Sequence, residues 1–264
     1  MKVLSVLTVL AVGSLAVSAS HADFVAFNDC VVAANHRANA ANVTTYGIGS
    51  GYTGATSGEL KNLSNGAGTG VTATLTQSGS VNYQPDLTTG GDDCAVGTPA
   101  ALAFNPTLSL QGTIYYGSAV GWYVDLQLSG LNPNGLYEFV TTANRKGGTG
   151  SMANKLTKYT LFGADAFTNT SSAGTTIAGA STTFNTYENT AAGYVAQWNG
   201  INPGADGVVK FRAEFGGDPA GANLWKAYTF DAFKLTEVVV PEPSSIIALA
   251  GGLVGLLGMR LRKV

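Results

Sequence analysis

Apolar and polar residues alternate with a period of two in three segments of this 264-residue chain, and this pattern constrains the fold more than any other feature. The clearest segment is 120–129, where Val, Trp, Val, Leu and Leu at the even positions are separated by Tyr, Asp, Gln and Ser. Similar alternation occurs at 71–76 and 209–215. Because successive side chains of a strand point to opposite faces, each segment predicts a strand with one buried face and one solvated face. Such strands are typical of antiparallel sheets that pack face to face.

Shorter patterns predict further strands, separated by turn signals such as Asn-Pro-Asn-Gly at 132–135. The only helical period is a short one around Ala33–Ala41. We therefore predict an all-β fold, a jelly-roll-like antiparallel β-sandwich over residues 23–239. A single domain is favoured, with residues 23–110 as a decorated N-terminal lobe. The further strands are predicted at 24–31, 43–48, 113–117, 136–143, 156–162, 194–198 and 227–236.

Part of the C-terminal half resembles galactose-binding-like and fibronectin-like sandwiches. The resemblance rests on Leu-Ser-Gly-Leu-Asn-Pro-Asn-Gly-Leu-Tyr-Glu-Phe at 128–139, on Asn144-Arg145, on Tyr159 and on the segment 228–235. It spans about 110–237 and implies a sandwich fold. Carbohydrate binding is an expectation that follows from the resemblance, since a fold alone does not determine function.

The first 22 residues have the pattern of a secretory signal peptide. Lys2 precedes an apolar run at 3–17, and Ser20 and Ala22 suit the −3 and −1 positions of a signal-peptidase site. Cleavage after Ala19 is the alternative. Because a membrane span needs about 20 apolar residues, this run favours a signal peptide over an N-terminal anchor. The sequence thus predicts that residues 23 onwards are exported.

The C-terminal residues 240–264 have three parts in a fixed order. A Val-Pro-Glu-Pro sequence at 240–243 is followed by an apolar stretch at 244–259 and then by a basic tail, Arg260, Arg262 and Lys263. As a helix the apolar stretch would measure about 24 Å, short of the ~30 Å hydrocarbon core of a bilayer. The basic tail should stay cytoplasmic, which places the body of the protein on the far side of the inner membrane.

This order resembles the PEP-CTERM sorting signal of Gram-negative bacteria. The resemblance implies recognition by an exosortase, a membrane transpeptidase-like protease, with Pro241, Glu242 and Pro243 as the processing motif and not as a catalytic site. It also implies transient contact with the inner membrane, a final location at the cell surface or outside the cell, and association with exopolysaccharide and biofilm. A plain C-terminal anchor is the alternative.

Two cysteines, Cys30 and Cys94, lie in the exported part of the chain. An even number of cysteines in an oxidising compartment predicts a disulfide. This bond would join the first strand to the loop around 90–93 and would stabilise the fold by roughly 4 kcal/mol on the chain-entropy model. Two free thiols or a metal pair are the alternatives, although neither a CxxC spacing nor a neighbouring histidine supports a metal.

Catalytic signatures are missing from the sequence. His36 is the only histidine left after signal cleavage, and no G-x-S-x-G, HExxH or P-loop motif is present. Asp92 and Asp93 lack the spacing of a calcium loop. A net charge of −2 gives no reason to expect nucleic acid as a partner. We predict no catalytic residues, metal or cofactor; carboxylate pairs for glycoside hydrolysis are the alternative, with candidates Asp125, Glu138, Glu188 and Glu214.

Aromatic residues are the better candidates for ligand contacts. Trp122 and Trp198 are in phase with apolar neighbours and are predicted to be core residues. Trp225 follows a Gly/Asn-rich loop, where an indole could stack on a sugar or plug the end of the sandwich. Asn144 and Arg145 follow a predicted strand and could add hydrogen bonds. The sequence thus predicts a non-enzymatic exported protein, with a carbohydrate-binding module as the first alternative and a secreted glycoside hydrolase as a remote one.

Overall fold

The computed structural model describes residues 24–31, 41–85, 90–105, 107–117, 120–146, 155–218 and 225–238. These residues form short and medium strands with two short helices. In chain order the elements are β1 (Val25–Asp29), β2 (Ser57–Lys61), β3 (Gly68–Ser78), β4 (Asn82–Gln84), α1 (Pro99–Phe104), β5 (Thr113–Tyr115), β6 (Tyr123–Ser129), β7 (Leu136–Thr142), β8 (Leu156–Phe162), β9 (Ala166–Asn169), β10 (Thr176–Ala178), β11 (Ser181–Asn185), α2 (Asn189–Ala192), β12 (Ala196–Asn202), β13 (Val208–Gly217) and β14 (Ala232–Val238).

The strands form two main antiparallel sheets, which confirms the predicted fold class. One has five strands in the order β1-β14-β7-β12-β9, and the other has seven in the order β10-β11-β8-β13-β6-β3-β2. The eight strands β1, β6, β7, β8, β11, β12, β13 and β14 fall into sheets β1-β14-β7-β12 and β6-β13-β8-β11. This is the strand order of a jelly roll. A separate two-stranded sheet pairs β4 with β5.

The segment between β1 and β6 extends this framework. Strand β3 pairs with β6 from Thr72↔Ser129 to Ser78↔Tyr123, and β2 adds the edge strand beyond it. The strand predicted at 43–48 is absent, because this segment contributes only an isolated parallel bridge between Thr44 and Asn28. Of the residues expected to form a helix at 33–41, only Ala41 is described.

The main core lies between the two sheets and is rich in aromatic rings. Phe139 of β7 stacks on Phe211 of β13 with ring centroids 3.6 Å apart, so this contact joins the two sheets directly. Trp122 and Trp198 are both buried in the same cluster, as predicted from their phase. The alternation read from the sequence thus corresponds to the inner faces of the sandwich.

A second hydrophobic cluster covers part of the outer face of the five-stranded sheet. Helix α1 supplies Phe104, which packs edge-on against Phe27 of β1 at 6.3 Å between centroids. The helix begins at Pro99, and the Thr98 hydroxyl accepts a hydrogen bond from the Ala101 N–H, a standard N-cap arrangement. The sequence analysis did not predict this helix, because six residues are too few to show a helical period.

Candidate functional site: a tyrosine and arginine cluster

Four tyrosines and one arginine form a cluster at an end of the sandwich. The guanidinium of Arg145 lies 5.5 Å from the ring centroid of Tyr187 and 5.9 Å from that of Tyr228. Its Nη1 donates a 2.9 Å hydrogen bond to the Tyr228 hydroxyl. Tyr116 packs on Tyr228 with centroids 6.0 Å apart, and Tyr115 packs on Tyr116 at 5.3 Å. We call these five residues the tyrosine–arginine cluster.

The backbone of four segments converges to build this cluster. Tyr115 ends β5 and forms an antiparallel bridge with Tyr228 just before β14. The Tyr116 N–H donates to the Ala227 carbonyl at 3.0 Å. Tyr187 follows β11, where its N–H donates to the Asn185 side chain at 3.0 Å. Arg145 comes three residues after β7, so the ends of three strands and the approach to a fourth place these side chains together.

The electrostatics keep the phenols of Tyr116 and Tyr228 neutral and Arg145 charged. Burial raises the pKa of Tyr228 well above its ordinary value, although Arg145 opposes this shift. Burial also raises the pKa of Tyr116, again against the effect of Arg145. For Arg145 itself, burial lowers the pKa, but Tyr228, Tyr187 and Tyr116 outweigh it and raise the pKa above its ordinary value. The cluster therefore presents one positive charge among polar aromatic rings.

The two arginines of the described chain differ in how this charge is balanced. Arg212 lies 3.6 Å over the Tyr123 ring and makes a bidentate pair with Asp125, at 2.7 and 2.8 Å. Arg145 also lies against tyrosine rings, but no carboxylate of the described residues pairs with it, and its Nε is buried without a hydrogen-bond partner. Arg145 is thus a partly exposed cation without a counter-ion from this part of the protein.

A second cation and a tryptophan adjoin the cluster. Lys226 places its Nζ 5.5 Å from the centroid of the Tyr116 ring. Trp225, predicted as a sugar-stacking residue, is partly buried against the main core, and its carbonyl accepts a hydrogen bond from Trp122 Nε1. Among the described residues no ring contact connects Trp225 with the four tyrosines. Stacking of Trp225 on a ligand stays a prediction.

Asn144, predicted beside Arg145 as a ligand contact, has a structural position instead. Its side chain is fully buried. The Nδ2 donates to the Asp92 carbonyl at 2.8 Å, and the Oδ1 accepts from the Asp92 N–H at 2.7 Å. Because both ends of the amide are used within the fold, we leave Asn144 out of the candidate site.

The predicted disulfide between Cys30 and Cys94 is corrected by the structure, in which both are free and buried. Cys30 lies in the core between the sheets, whereas Cys94 lies in the cluster around α1. Each sulfur has its own polar neighbour, because Asn28 Nδ2 donates to Cys30 Sγ at 3.3 Å and Cys94 Sγ donates to the Asn189 carbonyl at 3.6 Å. Burial raises the pKa of the Cys30 thiol well above its ordinary value. Burial followed by repulsion from Asp231 raises that of Cys94 to about 12.

We expect both thiols to react slowly with iodoacetamide in the native protein and completely in denaturant. The thiolate is the reactive form, and a buried thiol with a raised pKa forms little of it. Intact mass measured after native and denatured labelling, with and without reductant, tests this expectation. Rapid native labelling, or a reductant-dependent gain equal to two hydrogens, would contradict the buried free thiols.

Three of the four carboxylates considered for hydrolysis pair with cations. Glu188 is exposed and borders a shallow cavity of about 360 Å³, beside Tyr194 and Asn185. Gly174 closes one side of this cavity at φ +90°, where a Cβ would lie 2.7 Å from the Tyr194 ring. The three carboxylates that pair with cations are Asp125, with Arg212 and Lys210, Glu214, with Lys158, and Glu138, with Lys234.

The described residues hold no evident metal site or membrane span. No three His, Cys, Asp or Glu residues in the described ranges are grouped so that they could hold a metal ion, and Asp92 pairs with Lys146 at 3.1 Å. Neither α1 nor α2 has the length and apolar character needed to cross a bilayer. Several predicted features lie outside the described residues: the predicted signal peptide at 1–22, His36, the processing motif, the apolar stretch at 244–259 and the basic tail.

The sequence analysis missed the four tyrosines of the cluster. The Tyr115-Tyr116 pair was visible, but Tyr187 and Tyr228 are distant in sequence. Only the strand order brings the four segments that carry them to one end of the sandwich. No local motif signals this convergence.

Comparison with known proteins identifies the C-terminal tail. The family model of the PEP-CTERM protein-sorting motif matches residues 239–263. The sorting signal predicted at 240–264 is thereby confirmed, and it marks the chain as a secreted protein that an exosortase processes. No curated protein and no solved structure matches the chain, so the resemblance of its body to galactose-binding-like sandwiches has no structural neighbour to support it.

Proposed function

We propose that this protein is a non-enzymatic component of the cell surface or extracellular matrix, associated with exopolysaccharide after an exosortase has processed its tail. The single observation that carries this proposal is the PEP-CTERM motif at 239–263. The pattern of the first 22 residues agrees with it, because a secretory signal would deliver the body across the same membrane.

The surface chemistry of the sandwich supports a binding or structural role. Asp125 accepts hydrogen bonds from Arg212 and also pairs with Lys210 at 3.4 Å, so it is committed to the sheet surface. Glu214 and Glu138 have lysine partners in the same way. Carboxylates engaged with neighbouring cations fit a stable surface better than an acid and base pair for hydrolysis, which needs two carboxyl groups about 5–10 Å apart across a substrate.

The proposal is tested in the native host by replacing Pro241, Glu242 and Pro243 with alanine. We expect the wild-type protein to lose its C-terminal tail and to be recovered with the surface polysaccharide, whereas the triple variant keeps the tail and stays in the membrane fraction. Intact mass and cell fractionation measure both effects. The matched control replaces Ser244 and Ser245 with alanine, which leaves the three-residue motif unchanged.

Two results would overturn this proposal. A wild-type protein that keeps its full C-terminus would remove the processing step. A processed protein that enzymatic degradation of the surface polysaccharide does not release would remove the association with the matrix.

A second candidate function is carbohydrate binding by the sandwich itself. The observation that favours it is the tyrosine–arginine cluster, where aromatic rings and a cation without a counter-ion from the described chain lie at the partly exposed end of the fold. Aromatic faces together with a few placed polar groups are typical of small-molecule and sugar sites.

A further inference from the structure

The comparison between the two arginines indicates what kind of ligand the cluster would take. Arg212 lies over a tyrosine ring, and Asp125 neutralises its charge by accepting two hydrogen bonds of 2.7 and 2.8 Å from the guanidinium. Arg145 has the aromatic neighbours without the carboxylate. A guanidinium is best satisfied by a planar, bidentate anion. A carboxylate brought by a ligand would therefore supply the counter-ion that Asp125 supplies to Arg212, and it would approach the Nη atoms of Arg145 because the Nε is buried.

The polar groups around Arg145 extend this argument from an anion to a sugar. Within the described residues, the hydroxyl groups of Tyr115, Tyr116 and Tyr187 have no hydrogen-bond partner from the protein, while Tyr228 accepts from Arg145. Tyr115, Tyr116 and Arg145 are partly exposed. Each phenol can both donate and accept a hydrogen bond. Sugar hydroxyls offer the complementary groups, and the apolar face of a pyranose packs on aromatic rings.

The charges near the cluster also favour an acidic ligand. Asp92, which is hydrogen-bonded to Asn144 next to Arg145 in the chain, pairs with Lys146 at 3.1 Å. The whole chain carries a net charge of −2, so it has no general attraction for polyanions. The preference for an acidic ligand is therefore a property of this cluster.

We propose that the tyrosine–arginine cluster binds a uronic acid unit of an acidic polysaccharide, with the sugar carboxylate on the Arg145 guanidinium and the sugar ring beside Tyr115 and Tyr116. This inference rests on the proposed association with exopolysaccharide and names the chemical class of the glycan. Tyr187 and Tyr228 hold the guanidinium in place from the buried side.

The test compares polygalacturonate with its carboxyl-reduced form, using the full-length chain purified in detergent and titration calorimetry. We expect the wild-type protein to bind polygalacturonate at least ten-fold more tightly than the reduced polymer, since charge-assisted pairs are the stronger ones. The variant R145Q should bind polygalacturonate about ten-fold more weakly than the wild-type protein does. It should bind the reduced polymer as tightly as the wild-type protein does. The matched control R212Q, at an arginine that already has its carboxylate, should change binding less than two-fold.

A third variant, Y116F, and a third polymer, polyglutamate, complete the test. Y116F keeps the ring and removes only the hydroxyl, so we expect it to fold normally and to weaken binding to both polymers by a similar factor. Equal binding of the two polymers, or an equal loss from R145Q and R212Q, would overturn the proposal. Polyglutamate binding as tightly as polygalacturonate would also overturn it, because the site would then recognise a carboxylate without a sugar. Absence of binding with normal processing and surface location would overturn this inference alone and leave the proposed function intact.

Discussion

Replacing Phe139 with alanine is expected to lower the free energy of unfolding by about 3–5 kcal/mol, a large part of the 5–15 kcal/mol typical of a folded domain. Phe139 is fully buried in β7, the middle strand of the five-stranded sheet. Its ring stacks on Phe211 of the opposite sheet at 3.6 Å and also packs on Phe233 at 5.8 Å and Trp198 at 6.2 Å. The truncation would leave a cavity between the two sheets, where neither sheet can move without disturbing its strand pairing.

Urea unfolding followed by tryptophan fluorescence measures this effect. We expect a lower midpoint with an unchanged m-value, because the surface exposed on unfolding stays nearly the same. The matched control is the same substitution at Phe162, which is 42% exposed on the outer face of the seven-stranded sheet and whose ring lies beside the cations Lys210 and Arg212. F162A should cost about 1 kcal/mol or less. Equal losses at the two positions would contradict the assignment of Phe139 to the centre of the core.

The sequence contained enough information for the fold class and for the strands with a clear period of two. Trp122 lay in phase with Val124 and Leu126, and all three are buried in the same cluster. The pattern was informative because one face of β6 packs on the core, while on the other face Asp125 pairs with Arg212 of β13 and Gln127 is exposed. Period-two patterns report burial, and burial decides the orientation of such strands.

Elements with little burial could not be predicted in this way. Strand β10 is exposed at all its residues, and β2 buries only Leu60 fully. Both are edge strands held mainly by backbone hydrogen bonds, so their sequences carry little alternation.

The prediction of a disulfide was wrong because it used no information on where the two cysteines lie in the fold. Compartment and cysteine number suggested pairing, but they do not show that Cys30 and Cys94 belong to different hydrophobic clusters.

The candidate site could be predicted only in part. Arg145 was identified from its place after a strand, and the structure brings it into the cluster. The same argument from the sequence selected Asn144, but its side chain is buried and accepts a hydrogen bond from the Asp92 N–H. Alternation does not distinguish these neighbours, because the chain leaves the regular strand at Thr142. The tyrosines depend on long-range topology that no local pattern records.

Asp231 is expected to give the largest pH-dependent effect on stability. Its side chain is fully buried, with Oδ2 accepting from the Asn144 N–H at 2.7 Å and Oδ1 accepting from the Thr113 hydroxyl at 3.0 Å. Its carbonyl also accepts from the Cys30 N–H at 2.9 Å. Burial raises the pKa of the Asp231 carboxyl well above its ordinary value. The hydrogen bonds from the Asn144 N–H and the Thr113 hydroxyl lower this pKa by less, and the charge of Asp29 raises it further.

The direction of the pH dependence follows from this raised pKa. In the unfolded chain an aspartate loses its proton near pH 4, whereas the folded protein holds the Asp231 proton to higher pH. The stabilisation from Asp231 is therefore complete below pH 4 and is lost as the pH rises through the folded pKa. Between the two pKa values the loss approaches about 1.4 kcal/mol per pH unit.

The variant D231N isolates this contribution. Asparagine can accept from the Asn144 N–H with its oxygen and donate to the Thr113 oxygen with its nitrogen, so it keeps both contacts without a titrating proton. We expect the stability of the wild-type protein relative to D231N to fall as the pH rises above 4 and to level off above the folded pKa. D231A should be destabilised at every pH, because it leaves the Asn144 N–H and the Thr113 hydroxyl without this partner, at about 1–3 kcal/mol each.

Urea unfolding from pH 4 to pH 9 measures the difference between the wild-type protein and each variant. The exposed Asp206, which accepts a hydrogen bond from the Val208 N–H at 3.2 Å, provides the matched control D206N. D206N should change the stability little at any pH in this range, because the Asp206 side chain lies in solvent. A D231N difference that is equally flat would show that Asp231 titrates like an exposed carboxyl. A wild-type protein that gains stability relative to D231N as the pH rises would show that the hydrogen bonds from Asn144 and Thr113 outweigh burial.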